Sequence, residues 1–112
     1  MENRFEISML IDYYGTLLTE KQFNVMTLYY NEDLSLAEIA EINKTSRQAI
    51  YDLIKRCSKQ LHSYDEKLKL SKKVDKRYRI KEELMAELNK NSNLDEDIKI
   101  YIDEKLEEII NA

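Results

Sequence analysis

Apolar side chains recur at three- and four-residue spacing along most of the chain, and the polar residues between them carry the start and stop signals of helices. Phe5, Met9, Leu10, Tyr13 and Tyr14 predict a first helix over about 4–14, closed by Gly15, a residue that takes a left-handed C-cap without steric cost. Thr19 followed by Gln22 has the form of a capping box, in which each side chain satisfies a backbone amide the helix leaves free. It opens a second helix whose inward stripe is Phe23, Val25 or Met26, and Tyr29 or Tyr30, with Asn31 as its stop. Ser35 and Glu38 repeat the signature ahead of a short third helix lined by Leu36, Ile39, Ala40 and Ile42 and ending near Asn43. Thr45 with Gln48 supplies it a third time.

From Ser46 the spacing lengthens into a stripe. Ile50, Ile54, Cys57, Leu61, Tyr64 and Leu68 alternate four- and three-residue steps, which is a heptad seam. A helix running to about Lys69 would be about 36 Å long at about 1.5 Å per residue, more than a three-helix head covers. The seam therefore folds back on the C-terminal helices or pairs with a second chain; the predicted use is a homodimer through Ile54, Cys57, Leu61, Tyr64 and Leu68. The register slips at Lys69 to Ser71, which predicts a bend before a fifth helix carrying Val74, Tyr78, Leu84, Met85 and Leu88. Asn89 to Asn93 is a polar turn, and Asn93 with Glu96 caps a sixth helix carrying Ile98, Ile102, Leu106, Ile109 and Ile110.

The third and fourth helices are separated by only a few residues, and small Ala40 sits where they must approach closely, which is the helix-turn-helix arrangement. Ile39, Ile50 and Leu53 lock the pair onto the second helix, leaving the polar start of the fourth helix outward. Ser46, Arg47, Gln48 and Tyr51 are then placed to read bases in a DNA major groove; Arg47 matches guanine and Gln48 matches adenine, each through two hydrogen bonds. Lys44, Lys55, Arg56 and Lys59 are placed to hold phosphates. Three features work the other way. Lys44 stands at a turn position where many such units use glycine, Asn43 stands where an apolar plug is usual with Ile42 as its substitute, and Asp52 repels phosphate. If Thr45 is the cap, Gln48 also reaches back to its amide, which competes with a base.

The stretch Leu17 to Arg56, LLTEKQFNVMTLYYNEDLSLAEIAEINKTSRQAIYDLIKR, resembles the YlxM-like family of helix-turn-helix proteins and, less closely, region 4 of sigma factors. DLSLAEIAE and SRQAIYDLIKR carry most of the likeness, which continues loosely through Tyr64 to Leu68. The resemblance implies an all-helical, often dimeric bacterial protein encoded beside signal recognition particle components, with a regulatory or pathway-linked role.

Composition narrows the alternatives. One glycine and no proline in 112 residues leave too little turn chemistry for a sandwich, a barrel or a glycine-cradled nucleotide site. The net charge of −4 first speaks against nucleic acid, but it divides unevenly: −6 over residues 1–43, +9 over 44–81 and −7 over 82–112. The basic middle begins at the presumed recognition helix. Its lysines beyond residue 67 are expected to pair with the acidic C-terminal helix. Cys57 and His62 lie on different faces of one helix and make no metal pair, and no carboxylate pair has the surroundings of a catalytic site. No catalytic residue, cofactor or metal is predicted. The absence of a leader-like start and of a long apolar run predicts a cytoplasmic protein with no membrane insertion.

The sequence thus predicts an all-α fold: a helix-turn-helix, sigma region 4-like head over residues 1–60, and a long helical C-terminal extension over 61–112 for dimerisation and packing. Its expected partner is DNA, in a regulatory role. The alternative is an adaptor contacting signal recognition particle RNA or protein through the same basic face.

Overall fold

A computed structural model describes residues 3–91 and 93–112. These residues form six α-helices and one 3-10 turn, with no strand among them: α1 (Arg4–Tyr14), the 3-10 turn (Gly15–Leu17), α2 (Glu20–Tyr30), α3 (Leu36–Ile42), α4 (Arg47–Leu68), α5 (Leu70–Asn89) and α6 (Glu96–Ile110). They divide into two units, Met1–Ser71 and Lys72–Ala112. The first unit runs well past residue 60, because the end of α4 and Leu70 still pack on the head.

Two of the three capping boxes form as spelled. Thr19 and Gln22 exchange hydrogen bonds at the start of α2, and Ser35 and Glu38 do so at the start of α3. The third does not. Ser46 caps α4 instead, its hydroxyl accepting the Ala49 amide at 3.0 Å. Thr45 is drawn into the end of α3, where its N–H donates to the Ala40 carbonyl while that of Lys44 donates to Glu41. This is a Schellman closure, with Lys44 in the left-handed region at φ 53°. Lys44 thus fills the glycine position of the turn at some steric cost.

Gly15 departs from expectation too. Its φ is −56°, and the chain continues into the 3-10 turn. What requires glycine is space: a Cβ there would stand 2.8 Å from the Phe23 ring. Phe23 lies over that glycine as a half-exposed lid, while Val25, Met26 and Tyr30 supply the buried stripe of α2.

The core of the first unit joins Ile7, Leu10, Ile11 and Tyr14 of α1 with that stripe, Ile39 and Ala40 of α3, and Ile50, Ile54, Cys57 and Leu61 of α4. Each fully buried aliphatic chain contributes about 1.5–3 kcal/mol relative to exposure. α4 is the common element, touching α1, α2 and α3. The heptad stripe is therefore spent inside the chain. Ile54, Cys57 and Leu61 are fully buried and Tyr64 rests against Tyr14 with ring centroids 6.1 Å apart; only Leu68, 46% exposed, remains outward. α1 covers the stripe expected to form a dimer seam.

A polar network closes this unit. Tyr14 donates its hydroxyl hydrogen to Asp65 at 2.6 Å and accepts the Leu70 amide at 3.0 Å. Ser71 donates its hydroxyl to the other Asp65 oxygen at 2.6 Å. Lys69, left-handed at φ 56°, ends α4 and supplies the bend expected near Lys69 to Ser71. Desolvation pushes the Asp65 carboxyl up, but hydrogen bonds from Ser71 and Tyr14 together outweigh it and hold the group below its ordinary value.

The second unit is a hairpin of α5 and α6 without a single buried apolar side chain among its described residues. Lys81 joins the helices, with Asp103 at 3.2 Å and a close hydrogen bond to Glu107. The bond to Glu107 is the main reason the Lys81 ammonium is held above its ordinary value. Asp95 caps α6, accepting the Asp97 amide, in place of Asn93. The polar turn predicted over 89–93 includes Ser92, which lies outside the described residues, as do Met1 and Glu2.

Candidate nucleic-acid interface

The amphipathic phase of α4 sets the site. With Ile50, Ile54, Cys57 and Leu61 turned into the core, Arg47, Gln48, Asp52, Lys55, Arg56 and Lys59 are left exposed and Tyr51 half-exposed. Lys44, in the turn, is exposed as well. The core pins the helix from behind, so the outer side chains stand on a rigid support.

Two shallow grooves lie on this surface. One, of about 360 Å³, is lined by Leu36, Arg47, Gln48 and Tyr51. The other, of about 580 Å³, is lined by Ala49, Asp52, Lys55, Arg56 and Lys59. The predicted base-reading residues Arg47, Gln48 and Tyr51 are thus brought together at the N-terminal end of α4, and the cations Lys55, Arg56 and Lys59 one to three turns further on. Ser46 is placed differently. As N-cap its oxygen accepts the Ala49 amide, which leaves the hydroxyl hydrogen and one lone pair for another partner. Gln48 is released from the back-reach that a Thr45 cap would demand, and donates instead to Asp52 Oδ1 at 3.1 Å.

Leu36 and Ala49 were absent from the predicted site. Leu36 was legible only as a core residue of the third helix, and the neighbouring Ile42, expected as a plug, is 58% exposed. Asn43 does that work differently, half-buried and donating its side-chain amide to the Ile39 carbonyl at 2.9 Å.

Among the described residues, Lys44, Arg47, Lys55, Arg56 and Lys59 take part in no ion pair. Of the lysines beyond residue 67 expected to pair with the acidic helix, Lys81 does so; among the described residues Lys72, Lys73, Lys76, Arg77 and Arg79 form no such pair. Burial pushes the Cys57 thiol up, which marks a packed core residue rather than a nucleophile. His62 faces Glu6 at 3.8 Å, and no group of three or more His, Cys, Asp or Glu side chains among the described residues could hold a metal ion. No helix among them is long and apolar enough to cross a membrane.

A tight three-to-four-helix head, a short α3, a Schellman turn and an α4 with its polar start turned outward define a helix-turn-helix protein. Comparison with known proteins agrees: residues 1–101 match the model of the family UPF0122, described as "putative helix-turn-helix protein, YlxM / p13 like", and the chain belongs to that family. A UPF0122 protein of Clostridium perfringens strain SM101 is 99% identical over the full length of both chains. One from Clostridium botulinum strain Alaska E43 is 54% identical, covering 97% of this chain and all of its own, and one from Clostridium acetobutylicum is 52% identical, covering 100% and 97%.

Proposed function

We propose that the chain is a DNA-binding regulator that lays the start of α4 in a major groove. Arg47, Gln48 and Tyr51 meet base edges, Ser46 offers its hydroxyl hydrogen, and Lys44, Lys55, Arg56 and Lys59 meet phosphates. The observation that carries this reading is the outer face of α4, where a guanidinium, an amide and a ring stand beside cations that, among the described residues, are held in no ion pair even though Asp52 lines the same groove. The free amides at the start of a 22-residue helix add a further preference for phosphate. A cytoplasmic setting fits this role.

The test is a salt titration of duplex binding. Four phosphate contacts predict a slope of about −3 to −4 in log affinity against log salt, reduced by about 1 in Lys59→Ala. Arg47→Ala should remove the preference for guanine at the position it meets with little change in that slope. The second groove favours another reading, since Lys55, Arg56 and Lys59 would serve an RNA backbone or an acidic protein surface without reading bases. Tighter binding to structured signal recognition particle RNA or to its protein, indifferent to Arg47→Ala, would replace the DNA reading with an adaptor.

We propose further that the active form is a homodimer. Its contact cannot be the buried stripe of α4; the surface that supports it is the groove of about 500 Å³ on the second unit, where Ile80, Leu84, Leu106, Ile109 and Ile110 leave apolar area uncovered. Sedimentation of Leu84→Asp against the parent chain tests it: a dimer should become a monomer with the head still folded.

A further inference from the structure

We infer that Asp52 is a positioning residue for base discrimination: it turns the Gln48 side-chain amide so that this residue accepts adenine and refuses guanine. The inference deepens the DNA reading above and rests on it.

Gln48 Nε2 donates to Asp52 Oδ1 at 3.1 Å, one helical turn away on the same exposed face. A carboxylate has only acceptors to offer, so the nitrogen end of the amide is the end that must face it. The carbonyl oxygen is thereby left for another partner, and among the described residues it has none. One N–H remains beside it.

In the major groove adenine presents an acceptor at N7 and a donor at N6, whereas guanine presents two acceptors, N7 and O6. An amide offering one oxygen and one N–H complements adenine edge to edge. Against guanine the same amide sets its oxygen against O6, and turning away would break the bond to Asp52. Without Asp52 the amide is free to rotate and to meet guanine with its nitrogen.

The charge of Asp52 makes this role separable from any other. It lines the same groove as Lys55, Arg56 and Lys59, where a negative charge weakens phosphate contact. Removing it should therefore strengthen binding to arbitrary duplex and at the same time weaken discrimination. A residue serving only the helix or the overall charge would move the first quantity and not the second.

The experiment uses the full chain. Parent, Gln48→Ala, Asp52→Ala and Asp52→Glu are passed through selection on a pool of randomised duplexes, then titrated with duplexes that carry adenine or guanine at the position whose preference Gln48→Ala abolishes. The parent is expected to prefer adenine on the order of tenfold. Asp52→Ala should lose that preference to within about twofold while binding unselected duplex more tightly, and Asp52→Glu, which keeps a carboxylate in reach, should retain it. If Asp52→Ala keeps the adenine preference, or the parent selects no adenine that depends on Gln48, the inference is wrong while the DNA reading stands. If the parent binds no duplex at low salt, both fall.

Discussion

The head and the C-terminal hairpin are written in the same code, yet they use it to opposite ends. An apolar stripe at helical spacing runs along both α4 and α6, but Ile50, Ile54 and Leu61 are sealed in a core whereas Ile98 and Ile109 are exposed. The difference lies in the number of layers. α4 has three helices against it, and two helices alone can cover only one side of each other. Apolar spacing therefore says that a face wants burial, and the count of neighbours decides whether it gets it.

The largest test of this contrast is a matched truncation. Leu61→Ala should destabilise the head by about 2–5 kcal/mol, since the vacated space is walled in on all sides. Leu84→Ala, in the half-open hairpin, should cost about 0.5 kcal/mol or less at low protein concentration. Urea unfolding followed by helical circular dichroism reads both. A cost for Leu84→Ala that grows with protein concentration would show that a second copy supplies the missing layer.

A middle-sized effect belongs to the polar network that closes the head. Asp65→Asn should cost about 1–3 kcal/mol at neutral pH, because Tyr14 and Ser71 lose their charged acceptor. The sign of its pH dependence follows from the lowered value of Asp65. Its contribution is complete above the ordinary carboxylate range near 3.9 and is lost as pH falls through the lower value it has in the folded protein. The gap in melting temperature between parent and variant should therefore close on acidification; a gap that stays constant to pH 2 would remove Asp65 as its source.

The smallest effect sharpens the turn. Lys44→Gly should stabilise the head by up to about 1 kcal/mol by relieving the left-handed backbone, while taking one phosphate contact from the proposed face. Thermal melts and the salt slope would then move in opposite senses.

The all-helical fold and the helix-turn-helix were legible because local chemistry wrote them: Thr19 with Gln22, Ser35 with Glu38, and Ala40 at the crossing. Thr45 against Ser46 was not decidable locally, since both are good caps. The choice was made by the Schellman closure of α3, which claims the Thr45 amide. The stripe of α4 was legible as a buried face but not as to whose face covered it; α1 does, and nothing in a heptad distinguishes a covering helix of the same chain from one of another. The Tyr14–Asp65–Ser71 network left no trace in any spacing, because its members are brought together by the tertiary fold. In the candidate site, Arg47, Gln48 and Tyr51 follow from helical phase alone, while the bond from Gln48 to Asp52 depended on which residue took the cap.

Cys57 gives the head a clock. It is the chain's only cysteine, it sits fully buried on the back of the helix whose front is proposed to meet DNA, and its thiol is held in the unreactive protonated form. A thiol reagent can therefore label the chain only in the moments when α4 lifts from its bed, and the labelling rate counts those openings. Anything that grips the front of α4 would slow the count, so this one sulfur reports occupancy of the outer face from inside the protein, with no probe attached to the surface being studied.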